Sequence, residues 1–467
     1  MMRRVLFALA FALALPVGAQ ELRQAPAPLP TDTELELSKL NSVQEVAALG
    51  QKWWEEKDIR RYTYAMQRLV QLRPYNPVFQ YRLAEAFAMQ DMKTPAYDTL
   101  IKLQKSGMAM DPSEEENFAK IRGTGAYKYI VEGLQLNATP WGEGKVAFSV
   151  KGGPELLESI AHDARNKRFL MGSVRTGEVV AVDLEGRSKV FIKPDGVNKL
   201  RAVTALAVDA ERKFLWVATA AMPQHQGFRQ ADVGKAALVK FDLDSGKHLA
   251  TFEAPYTGRP YVFGALALAK SGEVYATEGV NNAVWQQARS EFKPLFVVPG
   301  TSLRGITVSP DHKFVYFSDY ELGLRYADLG KNEVRELTSS GQNLGGIEGM
   351  AWYDNHLIVV QNTTIPTRVS RIELTQEGRA LGAMQPLEAN KDELLMPTYG
   401  TLVGEDFYFI ANSQRDEYLP NGTLPLGTEA APRQIYKLSA RFAWRDPNQK
   451  GTQGASPSAA QPKRSGN

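Results

Sequence analysis

The sequence contains no cysteine, and that absence removes several kinds of chemistry at once. Disulfide bonds, thiolate nucleophiles and cysteine-ligated metal centres all need a sulfhydryl group. A chain of 467 residues can do without disulfides, because its length allows a large apolar core. Stability must therefore come from core burial and not from disulfide bonds.

Histidine is also scarce, and the five histidines are scattered rather than paired. Neither an H-E-x-x-H motif nor a G-x-S-x-G motif occurs in the sequence. The chain therefore offers no motif for a zinc-dependent hydrolase and none for a serine hydrolase of the nucleophile-elbow type.

No large excess of charge is present either. Lys and Arg number 55 against 52 Asp and Glu, which gives a formal net charge of +3. Basic residues do not form a stripe interleaved with aromatic residues, the pattern that is typical of nucleic-acid-binding proteins. We therefore predict that the protein has no nucleic-acid partner.

The most apolar stretch stands at the start of the chain. Residues 1–19, MMRRVLFALAFALALPVGA, place two arginines before an apolar run that ends in small residues. This pattern predicts a cleaved signal peptide, with an uncleaved anchor as the alternative. The run is shorter than the roughly 20 residues that span a bilayer, and no later stretch is long and apolar enough. We expect a periplasmic or secreted protein without a membrane span in the mature chain.

Helical patterns dominate the region that follows. Residues 20–40 are largely polar with several prolines, and we predict a flexible linker there. Over residues 41–135, apolar residues recur at three- and four-residue spacing, which indicates paired helices. The junction RPYNP (73–77), the motif LAEAF (83–87) and Ala96 resemble tetratricopeptide repeats. That resemblance implies a concave face for a protein or peptide partner. A short helical bundle without a ligand is the alternative.

Beyond Trp141 the pattern changes to short strands. Hairpins of period two recur at intervals of roughly 40 to 60 residues, and a further strand follows most of them. The six hairpins begin at Ser159, Thr204, Gly264, Arg304, Glu348 and Tyr399. Four short strands per unit predict a six-bladed all-β propeller over residues 141–445. The predicted fold class is multi-domain α and β, with helical hairpins before the propeller and a disordered polar tail over 446–467.

Three of these units carry a family resemblance. The segments ESIAHD (158–163), RGITVSPD (304–311) and EGMAW (348–352) resemble those of the senescence-marker-30/gluconolactonase family of six-bladed propellers. Strictosidine-synthase-like propellers are related to that family, and the resemblance covers residues 152–438. It implies one divalent metal, often calcium, at the top of the central channel. It also implies hydrolysis of a lactone or ester by an activated water.

The metal positions that the resemblance implies are only partly kept. Glu158 matches the first ligand, and Glu348 stands at the position of an Asp. Thr204 and Arg304 stand at two Asn positions, where threonine is a poor ligand and arginine repels a cation. A hard cation takes six to eight oxygen ligands. We therefore predict no bound metal and no other cofactor, with a calcium ion on Glu158 and Glu348 as the alternative.

The same positions suggest a binding site. Glu158, Arg304 and Glu348 open three innermost strands and are expected to meet on the propeller axis. The second strands return to that face, and their last residues form a predicted polar rim of Glu278, Asp319, Asn362 and Asn412. We predict a small-molecule pocket in which Arg304 holds a carboxylate or phosphate. The alternative is a set of internal salt bridges that plugs the channel.

Two long insertions interrupt the strand pattern, at residues 221–234 and 413–432. Propeller function often depends on such loops. We expect them to cover one face of the propeller, with Phe228 and Tyr418 as candidates for ligand contact.

Three functions remain open at this level. The favoured one is an exported propeller that binds a small anionic ligand, with a helical region that docks a partner. The second is a lactonase-like or esterase-like hydrolase with a modified metal site, which the retained Glu158 and Glu348 keep open. The third is a structural scaffold of the cell envelope. The sequence names no catalytic residue for the second.

Overall fold

A computed structural model describes residues 31–153, 155–338 and 341–441. The predicted signal peptide (1–19) and the predicted disordered tail (446–467) lie outside the described residues, as do most of the predicted linker and residues 442–445. Within the described part of the chain, no helix combines the length and the apolar character needed to cross a membrane.

Seven α-helices precede the strands in the described residues. In chain order, α1 to α7 span Asp32–Ser38, Val43–Glu55, Ile59–Leu72, Pro77–Met89, Lys93–Lys105, Ala119–Arg122 and Gly125–Asn137. Helix α1 falls inside the region 20–40 that the composition predicts as a linker. A capping box explains it, because Thr31 accepts a hydrogen bond from the Glu34 amide and Glu34 bonds back to the Thr31 amide.

The helices pack in sequence order around their own apolar core. Helices α2 and α3, α3 and α4, and α4 and α5 are in contact, and the small residues Ala65 and Ala96 are fully buried between them. The side chain of Asn76 caps α4 by accepting from the amides of Val78 and Phe79, with Pro77 in the first turn. The tetratricopeptide-like character of this region stays a prediction.

Among the described residues, twenty-four strands form six four-stranded antiparallel sheets, which confirms the six-bladed propeller. Blades 1 to 3 each take four consecutive strands. Blade 1 holds β2 to β5 (Leu157–Asp163, Arg168–Ser173, Val179–Val182, Ser188–Ile192), blade 2 holds β6 to β9 (Ala202–Asp209, Phe214–Ala220, Ala236–Asp242, His248–Glu253), and blade 3 holds β10 to β13 (Phe263–Leu268, Val274–Glu278, Ala283–Ala288, Glu291–Val297).

The remaining blades complete the ring. Blade 4 holds β14 to β17 (Leu303–Val308, Phe314–Asp319, Gly323–Asp328, Glu333–Leu337), blade 5 holds β18 to β21 (Ile347–Tyr353, His356–Gln361, Arg368–Thr375, Ala380–Ala389), and blade 6 combines β22 to β24 (Gly400–Val403, Asp406–Ile410, Arg433–Ser439) with β1 (Lys145–Val150). Strand β1 pairs antiparallel with β24 and so is the outermost strand of the last blade. Because β1 directly precedes β2 of blade 1 in the chain, its pairing with β24 joins the first blade to the last. On the inside of the ring, β2 contacts β22.

Each pair of neighbouring blades encloses an apolar core. Between blades 2 and 3, for example, Trp216, Phe263 and Trp285 are buried together, and the rings of Phe263 and Trp285 meet edge to face with centroids 5.5 Å apart. Small residues let the innermost strands approach one another. A Cβ atom added to Gly349 would lie 2.6 Å from the carbonyl oxygen of Thr398. The channel between the six innermost strands is therefore narrow.

The helical region rests on the propeller, at blades 4 and 5. Asn343 donates a hydrogen bond of 2.8 Å to the Tyr75 carbonyl, and Arg73 forms an ion pair with Glu321. The Ala109 amide donates to the Ile365 carbonyl at 2.8 Å. These propeller residues lie in loops at the end of the channel where the innermost strands begin, which we call the upper face.

Candidate functional site

A β-bulge opens most of the innermost strands, and it falls on the residues that the sequence singles out. The pairing of β2 with β3 skips Glu158, and the pairing of β18 with β19 skips Glu348. Thr204 and Arg304 lie in the corresponding irregularities of β6 and β14. A bulge redirects a side chain away from the regular pleat. The bulges thus place these side chains at the mouth of the channel.

The charged mouth contains five side chains, which we call the mouth cluster: Glu158, Arg304, Glu348, Arg415 and Arg433. Glu348 is fully buried, and its Oε1 atom lies 3.1 Å from Arg415 Nη1 and 3.6 Å from Arg304 Nη1. Burial alone raises the pKa of Glu348, but the two guanidinium groups outweigh burial and hold the pKa below its ordinary value. One ionised carboxylate is therefore shared by two cations.

Glu158 belongs to a second pair in the same cluster. Its Oε1 atom lies 3.6 Å from Arg433 Nη2, and its Oε2 atom accepts a hydrogen bond of 2.9 Å from the Ser413 hydroxyl. Burial is the largest influence on this carboxyl and raises its pKa in spite of Arg433. Among the described residues, the arginine that pairs with Glu158 is therefore Arg433, whereas Arg304 pairs with Glu348.

Several polar atoms of the mouth cluster have no hydrogen-bond partner among the described residues. They are Glu158 Oε1, Glu348 Oε2, Arg304 Nε and Arg433 Nε. A buried polar atom without a partner costs free energy, so such atoms are usually satisfied by water or a ligand. The cluster therefore combines unused donors and acceptors with an excess of positive charge, since three arginines face two glutamates.

Aromatic side chains complete the wall beside Arg304. Its guanidinium carbon lies 5.4 Å from the ring centre of Tyr320, within the range of a cation–π contact. The Tyr320 hydroxyl donates to Asn362 Oδ1 at 2.6 Å, and burial raises its pKa to about 12. The Tyr399 hydroxyl donates to Glu348 Oε1 at 3.1 Å, and burial raises its pKa as well. Both phenols are therefore protonated near neutral pH.

The predicted rim residues are engaged by the loops that follow their strands. Glu278 accepts from the amides of Val262, Val280 and Asn281, at 2.8 to 3.0 Å. Through these three hydrogen bonds, the Glu278 side chain holds the neighbouring loops in place.

The other three rim residues follow the same pattern. Asp319 accepts from the backbone amides of Thr301, Glu321 and Leu322. Asn362 donates to the Pro397 carbonyl and Asn412 to the Pro432 carbonyl. The structure brings Glu158, Arg304 and Glu348 into one cluster, with Asn362 linked to it through Tyr320.

The channel below the mouth is too small for an organic ligand. A cavity of about 40 Å³ lies between the innermost strands, with Ser159, Thr204, Met350 and Tyr399 among its lining residues. That volume holds one or two water molecules. A ligand of the mouth cluster would therefore lie above the channel and not inside it.

The two insertions meet over the upper face. Tyr418 is 8% exposed and packs in one apolar cluster with Leu156, Val174 and Met222. Arg175 Nη1 lies 3.3 Å from the carbonyl of Asn421 in the second insertion and 3.3 Å from that of Gln224 in the first. Tyr418 is thus a buried residue of the loop pair, although the sequence suggests it as a candidate for ligand contact.

Access to the mouth is nevertheless kept. The side chains of Arg304 and Arg415 are 28% and 36% exposed, whereas Arg433 is 5% exposed. Arg304 and Arg415 are therefore the members of the mouth cluster that a dissolved ligand can reach.

Two members of the cluster were not identified from the sequence. Arg415 lies within the second insertion and Arg433 directly follows it, and only the folded loop brings them to Glu348 and Glu158. The length of that insertion was the one available signal, because long loops over a propeller face often carry binding residues.

The donor set does not fit a divalent cation. Among the described residues, no group of three or more His, Asp or Glu side chains is placed to hold a metal ion. Glu158 and Glu348 are each committed to arginines, and a cation placed between them would be repelled by three guanidinium groups. The mouth cluster therefore suits an anion better than a metal ion.

Comparison with known proteins gives similarity at the level of structure only. No protein-family model and no curated protein matches the sequence. Solved structures with a similar fold include the calcium-binding protein regucalcin from Agrobacterium tumefaciens (16% identity, TM-score 0.45, covering 64% of this chain and 96% of that one).

Two further similar structures come from other bacteria. A gluconolactonase from Xanthomonas campestris has 12% identity and a TM-score of 0.43, and the match covers 65% of this chain and 91% of that one. The aldose sugar dehydrogenase from Streptomyces coelicolor, in its PQQ-bound form, has 14% identity and a TM-score of 0.42 over 64% of this chain and 99% of that one. The six-bladed fold itself rests on the strand order, so this chain is a six-bladed β-propeller with gluconolactonase and regucalcin among its structural neighbours.

Proposed function

We propose that the protein binds a small organic anion at the mouth of the propeller channel, and that Arg304 and Arg415 hold its carboxylate or phosphate. The observation that carries this proposal is the sharing of one carboxylate, that of Glu348, by two partly exposed arginines. Glu348 balances only one of these two positive charges, so a bound anion would balance the other. Charge-assisted contacts of arginine with carboxylate or phosphate are among the stronger hydrogen bonds in proteins.

The unused atoms of the cluster define what else the ligand carries. Glu348 Oε2 has no hydrogen-bond partner among the described residues and accepts only. Both Glu348 Oε2 and Arg304 Nε are buried, so a ligand reaches them only if Arg304 and Arg415 turn toward the bound anion. A ligand hydroxyl would then satisfy Glu348 Oε2, and Arg304 Nε, which also lacks a partner in the described part of the chain, would donate to a ligand oxygen. Sugar acids and sugar phosphates have this combination of an anionic group and hydroxyls.

Export and partner docking, both expected from the sequence, are also part of the proposal. The signal-peptide pattern supports export. For docking, helix α7 supports the idea, because Tyr129 and Leu136 are 69% and 72% exposed and lie two turns apart on it. Metal-dependent lactone hydrolysis is not proposed, because Glu158 and Glu348, which would hold the cation, are both paired with arginines.

A thermal unfolding experiment tests the binding function. Gluconate, glucarate and glucose 6-phosphate serve as anionic probes, and glucose serves as the neutral control. We expect the anions to raise the melting temperature of the wild-type protein and glucose to leave it unchanged, because a ligand that binds only the native state stabilises it. A panel without any shift, or equal shifts by glucose and gluconate, contradicts the proposal.

A further inference from the structure

A second cavity lies between the helical region and blade 5, with a volume of about 340 Å³. It is lined by Ser106 of the helical region, by Leu136 at the end of α7, and by Trp141, Arg368 and Met384. It shares no lining residue with the channel cavity and contains no member of the mouth cluster. The volume falls within the range of about 300 to 1,000 Å³ that small-molecule sites occupy.

A buried arginine without a counter-ion borders this cavity. Arg368 is 7% exposed, and within the described part of the chain no Asp or Glu lies within ion-pair distance of it. Its acceptors are neutral: Gln361 Oε1 at 2.7 Å, the Ser106 carbonyl at 2.8 Å and the Asn343 carbonyl at 3.3 Å. Burying an unpaired charge is costly, and burial lowers the pKa of Arg368 to about 10.

The guanidinium group has donor capacity left. Arginine carries five N–H bonds. The three acceptors above use one on each nitrogen atom, so both terminal nitrogens, Nη1 and Nη2, keep one N–H each. A carboxylate that takes two parallel N–H bonds is the usual strong partner of such a pair.

The rest of the lining agrees with an apolar acid. No Asp or Glu occurs among the described residues that line the cavity, and Lys105 stands exposed at its edge with no ion pair in the described structure. Leu136, Trp141 and Met384 supply apolar walls, and Trp141 is 38% exposed. The site therefore joins two positive charges to an apolar surface.

We propose that this cavity binds a small carboxylic acid with an apolar body, whose carboxylate pairs with Arg368 and Lys105 while the body packs on Leu136, Trp141 and Met384. The ligand differs from that of the mouth cluster, which requires hydroxyls. Because Arg368 also bonds the Ser106 carbonyl, an acid bound there strengthens the contact between the helical region and the propeller.

Fluorine NMR on the full chain labelled with 5-fluorotryptophan tests the site directly. The sequence has seven tryptophans, and the Trp141→Phe variant assigns the resonance of Trp141. The probe is 3-phenylpropionate, and its amide is the uncharged control. We expect the acid, and not the amide, to shift the Trp141 resonance, both in the wild type and in Arg415→Gln. Arg415→Gln should no longer bind an anion at the mouth cluster, so a shift of the Trp141 resonance in this variant reports on the cavity alone. Failure of this proposal can therefore be distinguished from failure of the proposed function.

A pair of lysine variants tests the charge requirement without touching the core. Lys105→Glu should lower the affinity for 3-phenylpropionate, measured from the Trp141 resonance, roughly fivefold, which is the effect of one exposed ion pair. Lys102→Glu on the same helix should leave this affinity unchanged. Arg368→Gln should abolish the response. If Arg368→Gln does not fold, the comparison of Lys105→Glu with Lys102→Glu still tests the proposal. Equal shifts by acid and amide, or equal affinity in Lys105→Glu and Lys102→Glu, overturn the proposal.

Discussion

Arg415 donates a hydrogen bond of 3.1 Å to Oε1 of Glu348, although the two residues are 67 positions apart in the chain. Arg304, from blade 4, approaches the same oxygen at 3.6 Å. One carboxylate therefore balances two cations that reach the upper face from different blades. The positive charge that remains is the physical basis of the proposed anion site.

The first prediction concerns Arg304. Replacing it by Gln should cost less than about 1.5 kcal/mol of unfolding free energy, because Glu348 keeps Arg415 and Tyr399 as partners. The same change should weaken gluconate binding about tenfold, because a charge-assisted contact is lost. Urea unfolding and a binding titration give the two quantities.

The control for this variant is Arg335→Gln, which removes an exposed arginine from β17 of the same blade. It changes the net charge equally and should affect neither quantity. A loss of about 3–5 kcal/mol in Arg304→Gln, with no ligand effect in the wild type, would instead show a salt-bridge plug, since that is the cost of breaking a buried pair.

The second prediction separates the two buried glutamates. Glu348→Gln should lower the unfolding free energy by about 3 kcal/mol at pH 7, because it removes an ionised group from between two arginines. Glu158→Gln should cost less than Glu348→Gln, because burial raises the pKa of Glu158, whereas two arginines hold the pKa of Glu348 below its ordinary value. Urea unfolding of both variants measures the difference. Equal losses would contradict these opposite pKa shifts.

The third prediction is a pH dependence with opposite signs for these carboxyls. The pKa of Glu158 in the native state lies above its ordinary value of 4.5, so the native state binds its proton more tightly than the unfolded state does. Its contribution to stability is full below pH 4.5 and is lost as the pH rises through the native pKa. Subtracting the stability curve of Glu158→Gln from that of the wild type should therefore give a difference that falls with rising pH.

Glu348 should behave in the reverse way. Its native pKa is depressed below 4.5, so its contribution is present above pH 4.5 and is lost as the pH falls through the native pKa. Comparison of the wild type with Glu348→Gln between about pH 3 and pH 8 checks this sign. A difference that grows on acidification would contradict the pairing with the two arginines.

The fourth prediction concerns the junction of the two regions. The Tyr75 ring lies against Gly323 of the propeller, its Cβ atom lies against Gly345, and the side chain packs on Leu344. Tyr75→Ala should destabilise the protein by about 3 kcal/mol, the low end for removing a packed aromatic ring. Protease cleavage between the regions, near Trp141, should become faster.

The control at this junction is Arg73→Gln, which breaks the partly exposed pair with Glu321 and a hydrogen bond to the Leu72 carbonyl. It should cost less than about 1 kcal/mol, as expected for an ion pair that water reaches. Cleavage at the wild-type rate in Tyr75→Ala would contradict a tight junction.

The six blades could be predicted because each innermost hairpin is a local signal. Strands β14 and β15, for instance, are joined by a Pro-Asp turn, and their alternation is visible within about 16 residues. The closing of the ring could not be predicted in this way. Strand β1 pairs with β24, nearly the full length of the propeller away, and no local pattern marks such a pair.

The candidate site was predictable to the extent that it lies on those hairpins. Glu158, Arg304 and Glu348 come from the starts of innermost strands, and propeller geometry brings such positions together. Arg433 pairs with Glu158 only because the insertion before β24 folds back over the face. The position of Glu278 at a strand end was also predictable, but its hydrogen bonds to loop amides depend on the path of the loop.

Calorimetric titration of the purified protein with gluconate, repeated on Arg415→Gln and Arg335→Gln, tests the proposed anion site without an intermediate step. We predict measurable binding to the wild type and to Arg335→Gln. The affinity of Arg415→Gln should be about tenfold lower, because the arginine that is most exposed in the mouth cluster is lost. Equal affinity of all three proteins for gluconate would contradict an anion site at Arg304 and Arg415.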